Sequence, residues 1–333
     1  MKSVTKLSGL ILSLLAFLPG EAKAQYIPAY QPDSFAVKAA DVIYWHKKNT
    51  LKHLELSLSV GTTGIGLDVA TPLSQYVQIR AGFDYMPRFK AKYKYKVLGD
   101  GQEPVKYDSI GNRVATPFDG IAAYMYDKKG INLEDHISLT GQAKMNNARI
   151  LVDVYPFHDK DWHFTAGIYY GSSEFARFYN TSDPDAMLQN ILTYNQIYRD
   201  AAEGDEVKKL GLLSIQMGLY SHSFKQDGKS RLENGNYIME PTQDGRVEIS
   251  CTSNSFKPYL GFGYGGRLFP SRNDWKISVE AGALIWGGTP SQTTHDGTEL
   301  SHHVKDYPHS ITGIIKMLKV YPVLSVRIAK TLF

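Results

Sequence analysis

The fold is decided by residues 54–73, which read LELSLSVGTTGIGLDVATPL. Apolar residues stand at even positions up to Val60 and at odd positions from Ile65 onward. A period of two predicts β-strand, because successive side chains of a strand point to opposite faces. The change of phase at residues 61–64 indicates either a one-residue β-bulge or a tight turn between two strands. We predict the turn, since it gives two strands of about ten residues, long enough to cross a bilayer at a tilt.

The same alternation recurs along the rest of the chain. In residues 76–85, Val77, Ile79 and Phe83 share one face, and Gly and charged residues occupy the other. A second change of phase, at residues 145–147, is assigned to a bulge because a turn there would give an odd strand count. Further strands are predicted over residues 76–89, 137–155, 161–177, 256–269, 275–288 and 320–333. The total is eight, with ten as the alternative if loop segments also cross.

Short and long connections alternate between these strands. The short connections cover residues 71–75, 157–161 and 270–274, and the long ones cover about 90–136, 179–255 and 290–319. This alternation is typical of outer-membrane barrels, in which turns face the periplasm and loops face the exterior. The predicted fold class is therefore all-β, an antiparallel transmembrane β-barrel with short helices in its long loops.

Local signals indicate structure inside the long loops. Asp183-Pro184 has the pattern of a helix N-cap followed by Pro at the first helical position. A second amphipathic helix is predicted over residues 310–319. Between them, Asp244-Gly245 indicates the turn of a hairpin. We expect the helices to pack over the barrel mouth as a lid.

The first 24 residues have the pattern of a Sec signal peptide. Lys2 and Lys6 precede an apolar run, and Ala22-Lys23-Ala24 supplies the small residues of a cleavage site after Ala24. The expected organisation is a signal peptide over residues 1–24, a periplasmic segment over 25–50 and a barrel with long loops over 51–333.

Composition excludes several classes of protein. Cys251 is the only cysteine, so an exported chain of this length has no disulfide framework. The net charge of +4 falls to +2 once three Lys and one Glu leave with the signal peptide. Such a small charge argues against nucleic-acid binding. No Gly-x-Ser-x-Gly, His-Glu-x-x-His or phosphate-binding Gly loop occurs, so no cofactor and no enzymatic activity are expected.

Eight charged residues fall on the non-apolar face of the predicted strands. We expect them to form an ionic core inside the barrel, because a barrel of eight strands has room only for its own side chains. Opposite charges in such a core must pair to offset the loss of hydration. The predicted lumen residues are Asp68, Arg80, Asp84, Arg149, Asp153, Lys276, Glu280 and Arg327.

Two groups of histidines resemble metal sites only weakly. The first, in residues 158–163, is interpreted as a polar periplasmic turn. The second lies in the last loop and has ligand-type residues without a defined spacing, so no metal is predicted. Its weak candidates are His295, His302, His303 and His309.

Several segments together resemble the small Gram-negative outer-membrane β-barrel superfamily, of the porin-like or eight-stranded type. They are GTTGIGLDVATPLSQYVQIRAGFDYMP (61–87), ILVDVYPF (150–157), FTAGIYYG (164–171), FKPYLGFGYGG (256–266) and the strand of residues 320–333. The resemblance implies an outer-membrane location among lipid and lipopolysaccharide. It also implies periplasmic chaperones and the barrel assembly machinery as partners during biogenesis.

The superfamily's assembly signal is a terminal strand with outward apolar residues in phase with a final Phe. The resemblance therefore implies this role for Leu324, Val326, Ile328, Leu332 and Phe333. Phe333 is one residue out of phase, and Leu332 holds the outward position.

We expect a non-enzymatic barrel with a filled lumen that serves envelope integrity, or surface interaction through a ligand of its loops. The alternatives are a narrow channel for ions or small solutes and a barrel enzyme acting on lipid or peptide.

Overall fold

The computed structural model describes residues 53–74, 76–157, 162–180, 186–220, 232–233, 236–269, 272–301, 304–305 and 311–332. Its elements, in chain order, are β1 (Glu55–Gly61), β2 (Gly64–Pro72), β3 (Val77–Tyr85), β4 (Lys90–Gly99), β5 (Lys106–Tyr107), β6 (Arg113–Val114), α1 (Pro117–Lys129), β7 (His136–Ala143), β8 (Asn147–Val154), β9 (Trp162–Gly171), β10 (Glu174–Tyr179), α2 (Ala186–Asp200), α3 (Glu206–Leu210), β11 (Leu213–Ile215), β12 (Leu219–Tyr220), β13 (Leu232–Glu233), β14 (Asn236–Tyr237), β15 (Glu248–Thr252), β16 (Phe256–Phe269), β17 (Arg272–Ile285), β18 (Ser291–Thr294), β19 (Val304–Lys305), α4 (Ile311–Met317) and β20 (Val320–Thr331). Within these ranges, no helix has the length and apolar character needed to span a membrane.

Eight antiparallel strands close into a barrel, in the order β1-β2-β3-β8-β9-β16-β17-β20. β1 and β2 form a hairpin in which Gly61 stands opposite Gly64, so Thr62 and Thr63 make a two-residue turn. Gly64 has φ +107°, a conformation that Gly adopts without the strain a Cβ would cause. The barrel closes where β1 pairs with β20. The predicted turn and the predicted count of eight strands are both confirmed.

The wall of the barrel continues beyond one rim as a second sheet. This sheet has the order β11-β4-β7-β10-β15-β18. Five of its strands are each next in the chain to a barrel strand: β4 to β3, β7 to β8, β10 to β9, β15 to β16 and β18 to β17. The five strands have the same spatial order as these barrel strands. Only a few residues separate such neighbours, for example 144–146 between β7 and β8. We call the described residues of 86–146, 172–255 and 286–319 the cap.

The cap has a hydrophobic core of its own. Side chains of its sheet, such as Val97, Leu139 and Ile249, pack with side chains of helices α1 and α2, such as Ile121 and Leu188. All five of these side chains are fully buried. The three regions predicted as long loops are therefore parts of one folded layer rather than separate loops. Helices were predicted there, but the second sheet was not.

The bulge predicted within residues 137–155 is wrong, because this stretch contains two strands. Odd-numbered residues stay on the inner side throughout: Leu139 and Met145 are buried in the cap, and Arg149 is buried in the barrel. Even-numbered residues such as Lys144 and Ile150 stay exposed. The alternation of inward and outward side chains continues unchanged through residues 144–146. Only the type of residue on each face changes. Apolar residues point inward in the cap and outward in the barrel.

The other local predictions had mixed outcomes. A helix, α2, begins at Ala186 in the described residues, whereas Asp183-Pro184 lie outside them. α4 lies within the predicted residues 310–319. A turn forms at Asp244-Gly245, with the Gly245 N–H donating to the Thr242 carbonyl at 2.8 Å. The hairpin is wrong, because β15 pairs with β10 and β18 instead of with the segment before this turn.

Candidate functional site in the barrel lumen

The barrel interior holds most of the charged residues predicted for it. Seven are no more than 5% exposed, namely Asp68, Arg80, Asp84, Arg149, Asp153, Glu280 and Arg327. They lie inside because each occupies an inward position of its strand. Lys276 differs, since its side chain is 53% exposed and its Nζ lies 3.0 Å from Glu55 Oε2. It therefore belongs to a rim pair rather than to the buried core.

Arg149 of β8 organises the first ionic group. Its Nε and Nη2 donate to the two carboxylate oxygens of Asp68 on β2, both at 2.7 Å. Its Nη1 donates to Asp84 of β3 at 2.9 Å, and Nη2 also donates to Ser59 Oγ at 2.9 Å. A two-point contact between guanidinium and carboxylate fixes both groups in one geometry. This group ties β1, β2, β3 and β8 together.

Arg80 of β3 organises the second ionic group. Its Nη2 donates to Asp153 Oδ1 at 2.9 Å and to Glu280 Oε2 at 2.7 Å. Thr165 donates to the same Asp153 oxygen at 2.7 Å, and Tyr259 donates to Glu280 Oε1 at 2.7 Å. Because Asp153 and Glu280 lie on β8 and β17, the group crosses the lumen from one wall to the other.

Two further cationic or titratable groups lie beside this second group. Arg327 of β20 has its Nη1 3.8 Å from Asp153 Oδ2 and donates from Nε to Ser278 Oγ at 3.2 Å. His163 of β9 has its Nε2 3.8 Å from Glu280 Oε2 and is 2% exposed. His163 was interpreted as part of a polar turn, and this interpretation is wrong because the residue lies on the inner face of β9.

A layer of apolar and aromatic side chains also lies within the lumen. It is formed by Leu151, Tyr169, Tyr259, Leu284 and Val323. The rings of Tyr169 and Tyr259 lie 5.4 Å apart between centroids. The charged residues and this layer are nearly inaccessible to water, so side chains of both kinds pack together inside the barrel.

Sequence reasoning missed several inward residues. Lys257 is fully buried, and its Nζ donates to Asn147 Oδ1 at 3.2 Å and to the Ser172 carbonyl at 2.9 Å. The alternation of FKPYLGFGYGG places Lys257 and Tyr259 on the same inward phase as the lumen glycines. Strand parity would therefore have identified both residues. Lys257 thus joins the three arginines as a buried cation beside the buried carboxylates of the barrel, which are Glu55, Asp68, Asp84, Asp153 and Glu280.

Asp153, His163 and Glu280 together have the residue types of a metal site. One ligand atom of each lies within 4.8 Å of the others. Arg80 contacts both carboxylates, and Arg327 lies 3.8 Å from Asp153. A metal ion would have to displace a buried guanidinium and would face a second one, so these residues do not fit a divalent cation.

Of the weak metal candidates in the last cap segment, only His295 lies in the described residues. Its backbone N–H donates to the Glu248 carbonyl at 2.8 Å. His302, His303 and His309 lie outside the described residues.

Of the residues implied as an assembly signal, Leu324, Ile328 and Leu332 are 39–47% exposed on the outer face, and Val326 shares their phase. Phe333 lies outside the described residues.

No protein-family model matches the sequence, and no curated protein matches it. The fold is similar to the crystal structure of CarO2 from Acinetobacter baumannii, with 14% identity, 84% of this chain and 98% of that chain covered, and a TM-score of 0.37. For CarO from the same organism the identity is 16%, the coverage 84% and 97%, and the TM-score 0.36. At these values the likeness carries no conclusion about activity or ligand.

Proposed function

We propose that this chain is a non-enzymatic protein of the Gram-negative outer membrane. Its barrel spans the bilayer and holds the cap on the cell surface, where the cap serves envelope integrity or surface interaction. The observation that carries the proposal is the distribution of polarity in the barrel, with ion pairs inside and apolar side chains outside. A soluble protein has the opposite distribution.

The outer face of the barrel is a continuous apolar belt. All eight strands contribute exposed apolar or aromatic side chains, including Leu58 of β1, Leu67 of β2, Phe164 of β9, Phe262 of β16 and Leu324 of β20. A soluble monomer rarely exposes an apolar patch larger than a few hundred Å². A belt around a closed barrel is the surface that lipid chains cover in an outer-membrane protein. A closed barrel also leaves no unpaired strand edge in the hydrocarbon.

The belt ends where the polarity of the wall changes. Tyr85, Tyr170 and Phe256 form its upper edge, each 49–63% exposed. Aromatic residues at the ends of apolar strands are typical of the membrane interface. The cap begins directly beyond this edge, with polar residues on its outer face and its apolar core inside. Such a layer suits water, so we place the cap outside the membrane and the connections that follow β2, β8 and β16 in the periplasm.

Heat-dependent gel mobility of the detergent-folded protein tests the membrane assignment. We expect the unboiled protein to migrate differently from the boiled protein, because a closed barrel resists denaturation by dodecyl sulfate until it is heated. Cell fractionation supplies the control, with the protein expected in the outer-membrane fraction. Full extraction into aqueous buffer without detergent, together with an absent mobility shift, would contradict the assignment.

Planar bilayers test the proposal against the channel alternative. We expect no steady conductance, because the charged groups Arg149–Asp68 and Arg80–Glu280 occupy the lumen together with the aromatic layer. A stable single-channel current from purified folded protein would favour the narrow channel. An enzymatic alternative would be supported by lipid or peptide turnover that is lost when the barrel is unfolded.

A further inference from the structure

A cleft of about 390 Å³ lies on the outer side of the molecule, where the barrel meets the cap. The end of β3 supplies Tyr85 and Met86, and the cap supplies strands β4, β7 and β10. Four cationic side chains line it, namely Arg88, Lys90, Lys144 and Arg177. The cleft is therefore strongly positive and stands apart from the filled lumen.

The cations of this cleft are only partly neutralised. Glu174 lies 2.6 Å from Lys144 Nζ and 2.8 Å from Arg177 Nε, so one carboxylate serves two of the four cations. Glu248 lies farther from Arg177, at 3.4 Å. Arg88 and Lys90 are exposed, and neither forms an ion pair with any residue that the structure describes. An anion can therefore contact both without displacing an ion-pair partner among the described residues.

The cationic surface extends from the cleft along β4. Lys92 and Lys94 point to the same outer face as Lys90, while the intervening Tyr93 and Tyr95 pack toward the cap core. No acidic residue occurs between Tyr85 and Gly99. Lysines on a strand edge commonly serve only to prevent aggregation. Here the lysines of β4 extend the positive surface of a cleft whose cations come from β4, β7 and β10 or from residues next to these strands.

The height of the cleft relative to the proposed bilayer decides which anion suits it. Phe89, which is 53% exposed, stands between Arg88 and Lys90, and Tyr85 forms the upper edge of the apolar belt. Lys144 lies at the point where apolar residues exchange the inner face for the outer face. Arg88 and Lys90 lie three and five residues beyond Tyr85, so the cleft begins directly above the proposed lipid chains, at the level of the headgroups. Long cationic side chains next to aromatic residues are typical of this level.

We propose that this cleft binds the phosphate groups of lipid A, the phosphorylated glycolipid of the outer leaflet. Arg88 and Lys90 contact one phosphate, and the cluster of Lys144 and Arg177 lies beside it. The guanidinium of Arg88 can donate two parallel hydrogen bonds to phosphate oxygens, and Lys90 acts as a point charge. The proposal rests on the outer-membrane assignment made above.

The test compares R88Q/K90Q with wild type in the full-length, detergent-folded protein. The probe is bisphosphorylated lipid A in maltoside micelles, with binding measured by isothermal titration. We expect wild type to bind it more tightly than monophosphorylated lipid A or phosphatidylcholine. The double variant should lose about tenfold in affinity, as expected for two charge-assisted contacts at an exposed surface. Added salt should weaken wild-type binding.

K128Q/K129Q is the matched control, because it removes the same charge from two exposed residues at the end of α1. Its affinity should stay within about twofold of wild type, since these two residues do not line the cleft. Equal losses in both double variants would overturn the site, as would equal affinity for lipid A and phosphatidylcholine. Full competition by an equal concentration of inorganic phosphate would overturn the assignment to lipid.

Heat-dependent gel mobility of the same samples separates the two proposals. A protein that shifts on boiling but shows no preference for lipid A phosphates contradicts only the cleft. A protein that does not shift contradicts the outer-membrane assignment and, with it, the position of the cleft at the headgroups.

Discussion

The barrel and the cap are built from consecutive strands of one wall, yet their polarity is opposite. In the barrel, Arg149 and Asp153 point inward, and Ile150 points outward. In the cap, Leu139 points inward and Ser138 outward. Odd-numbered residues of this stretch point inward in both the cap and the barrel. The solvent on each side of the wall therefore explains the difference in polarity. The comparison teaches that an exchange of apolar faces without a bulge can mark the edge of a membrane.

The two regions are also stabilised by different interactions. The barrel interior depends on buried ion pairs, which are costly to break because the remaining partner keeps an uncompensated charge. The cap depends on ordinary packing of aliphatic and aromatic side chains around Leu139 and Ile121. Substitutions in one region should therefore leave the other largely intact, and the predictions below use this difference.

The largest effect is expected for Arg149→Met. This change leaves Asp68 and Asp84 buried without their guanidinium, so we expect the barrel to lose about 3–5 kcal/mol of unfolding free energy. Urea unfolding from lipid vesicles, followed by tryptophan fluorescence, measures the loss. Lys96→Met is the control, because its pair with Glu103 is about half exposed on both sides and should contribute about 1 kcal/mol or less. Similar losses in both variants would contradict the burial of the Arg149 group.

Leu139→Ala should weaken the cap by about 2–5 kcal/mol, because it leaves a cavity in a fully buried site. Cys251 reports the effect, since it is the only cysteine and is buried in the cap core. Burial raises the pKa of its thiol to about 12, so the folded cap should resist iodoacetamide. We expect faster labelling in Leu139→Ala with an unchanged gel shift. Leu260→Ala, on the barrel's outer face, should leave labelling unchanged.

A pair of arginine substitutions tests the exchange of faces directly. Ile150→Arg places a cation in the proposed bilayer and should cost about 2–4 kcal/mol if the site lies near the midplane, and less near the rim. Ser138→Arg introduces the same side chain on the same face of the wall, but in water, and should cost less than about 1 kcal/mol, mainly through repulsion from Lys94 opposite it. Urea midpoints of both variants provide the comparison. Equal costs would argue that both positions face the same solvent.

The smallest effect is expected at the junction of the two regions. Burial alone would raise the pKa of Glu174, but hydrogen bonds from Lys144 and Arg177 lower it below the ordinary value. The ionised form therefore stabilises the folded state above the ordinary pKa, and this contribution is lost as pH falls through the lowered value.

Thermal midpoints of wild type and Glu174→Gln, measured by near-ultraviolet circular dichroism, check this prediction. Wild type should be more stable near neutral pH by less than about 1 kcal/mol, because Lys144 and Arg177 are partly exposed. The difference should shrink in acid. A difference that grows in acid would contradict the sign.

The sequence predicted the barrel well because its pattern has one physical cause. The alternation in residues 54–73, interrupted by Gly61 and Gly64, predicts the hairpin that makes eight strands. The same alternation places Arg80 and Arg149 on the inner face. The cap was harder to predict, because its sheet joins segments far apart in the chain, such as β4 and β15, that show no common pattern.

The individual errors have similar explanations. At residues 145–147 the sequence shows only that the apolar residues change parity, and a bulge produces the same signal as a change of solvent. His163 follows a run of polar residues, so its local context indicated a turn although its strand parity is inward. In both places the structure is determined by the surroundings of the strand, which the neighbouring residues in the sequence do not reveal.

The filled lumen has a consequence for biogenesis in the membrane proposed here. Arg80, Arg149 and their partners occupy the barrel interior, so we expect no passage for the cap segments through the closed barrel. If the cap lies at the cell surface as proposed, we expect its segments to reach the exterior before β1 pairs with β20. Cysteines introduced at Ser57 and Ala329, which stand opposite each other at this seam, can report the moment of closure in a Cys251→Ser background. A bridged intermediate whose cap is still shielded from external protease would refute this order.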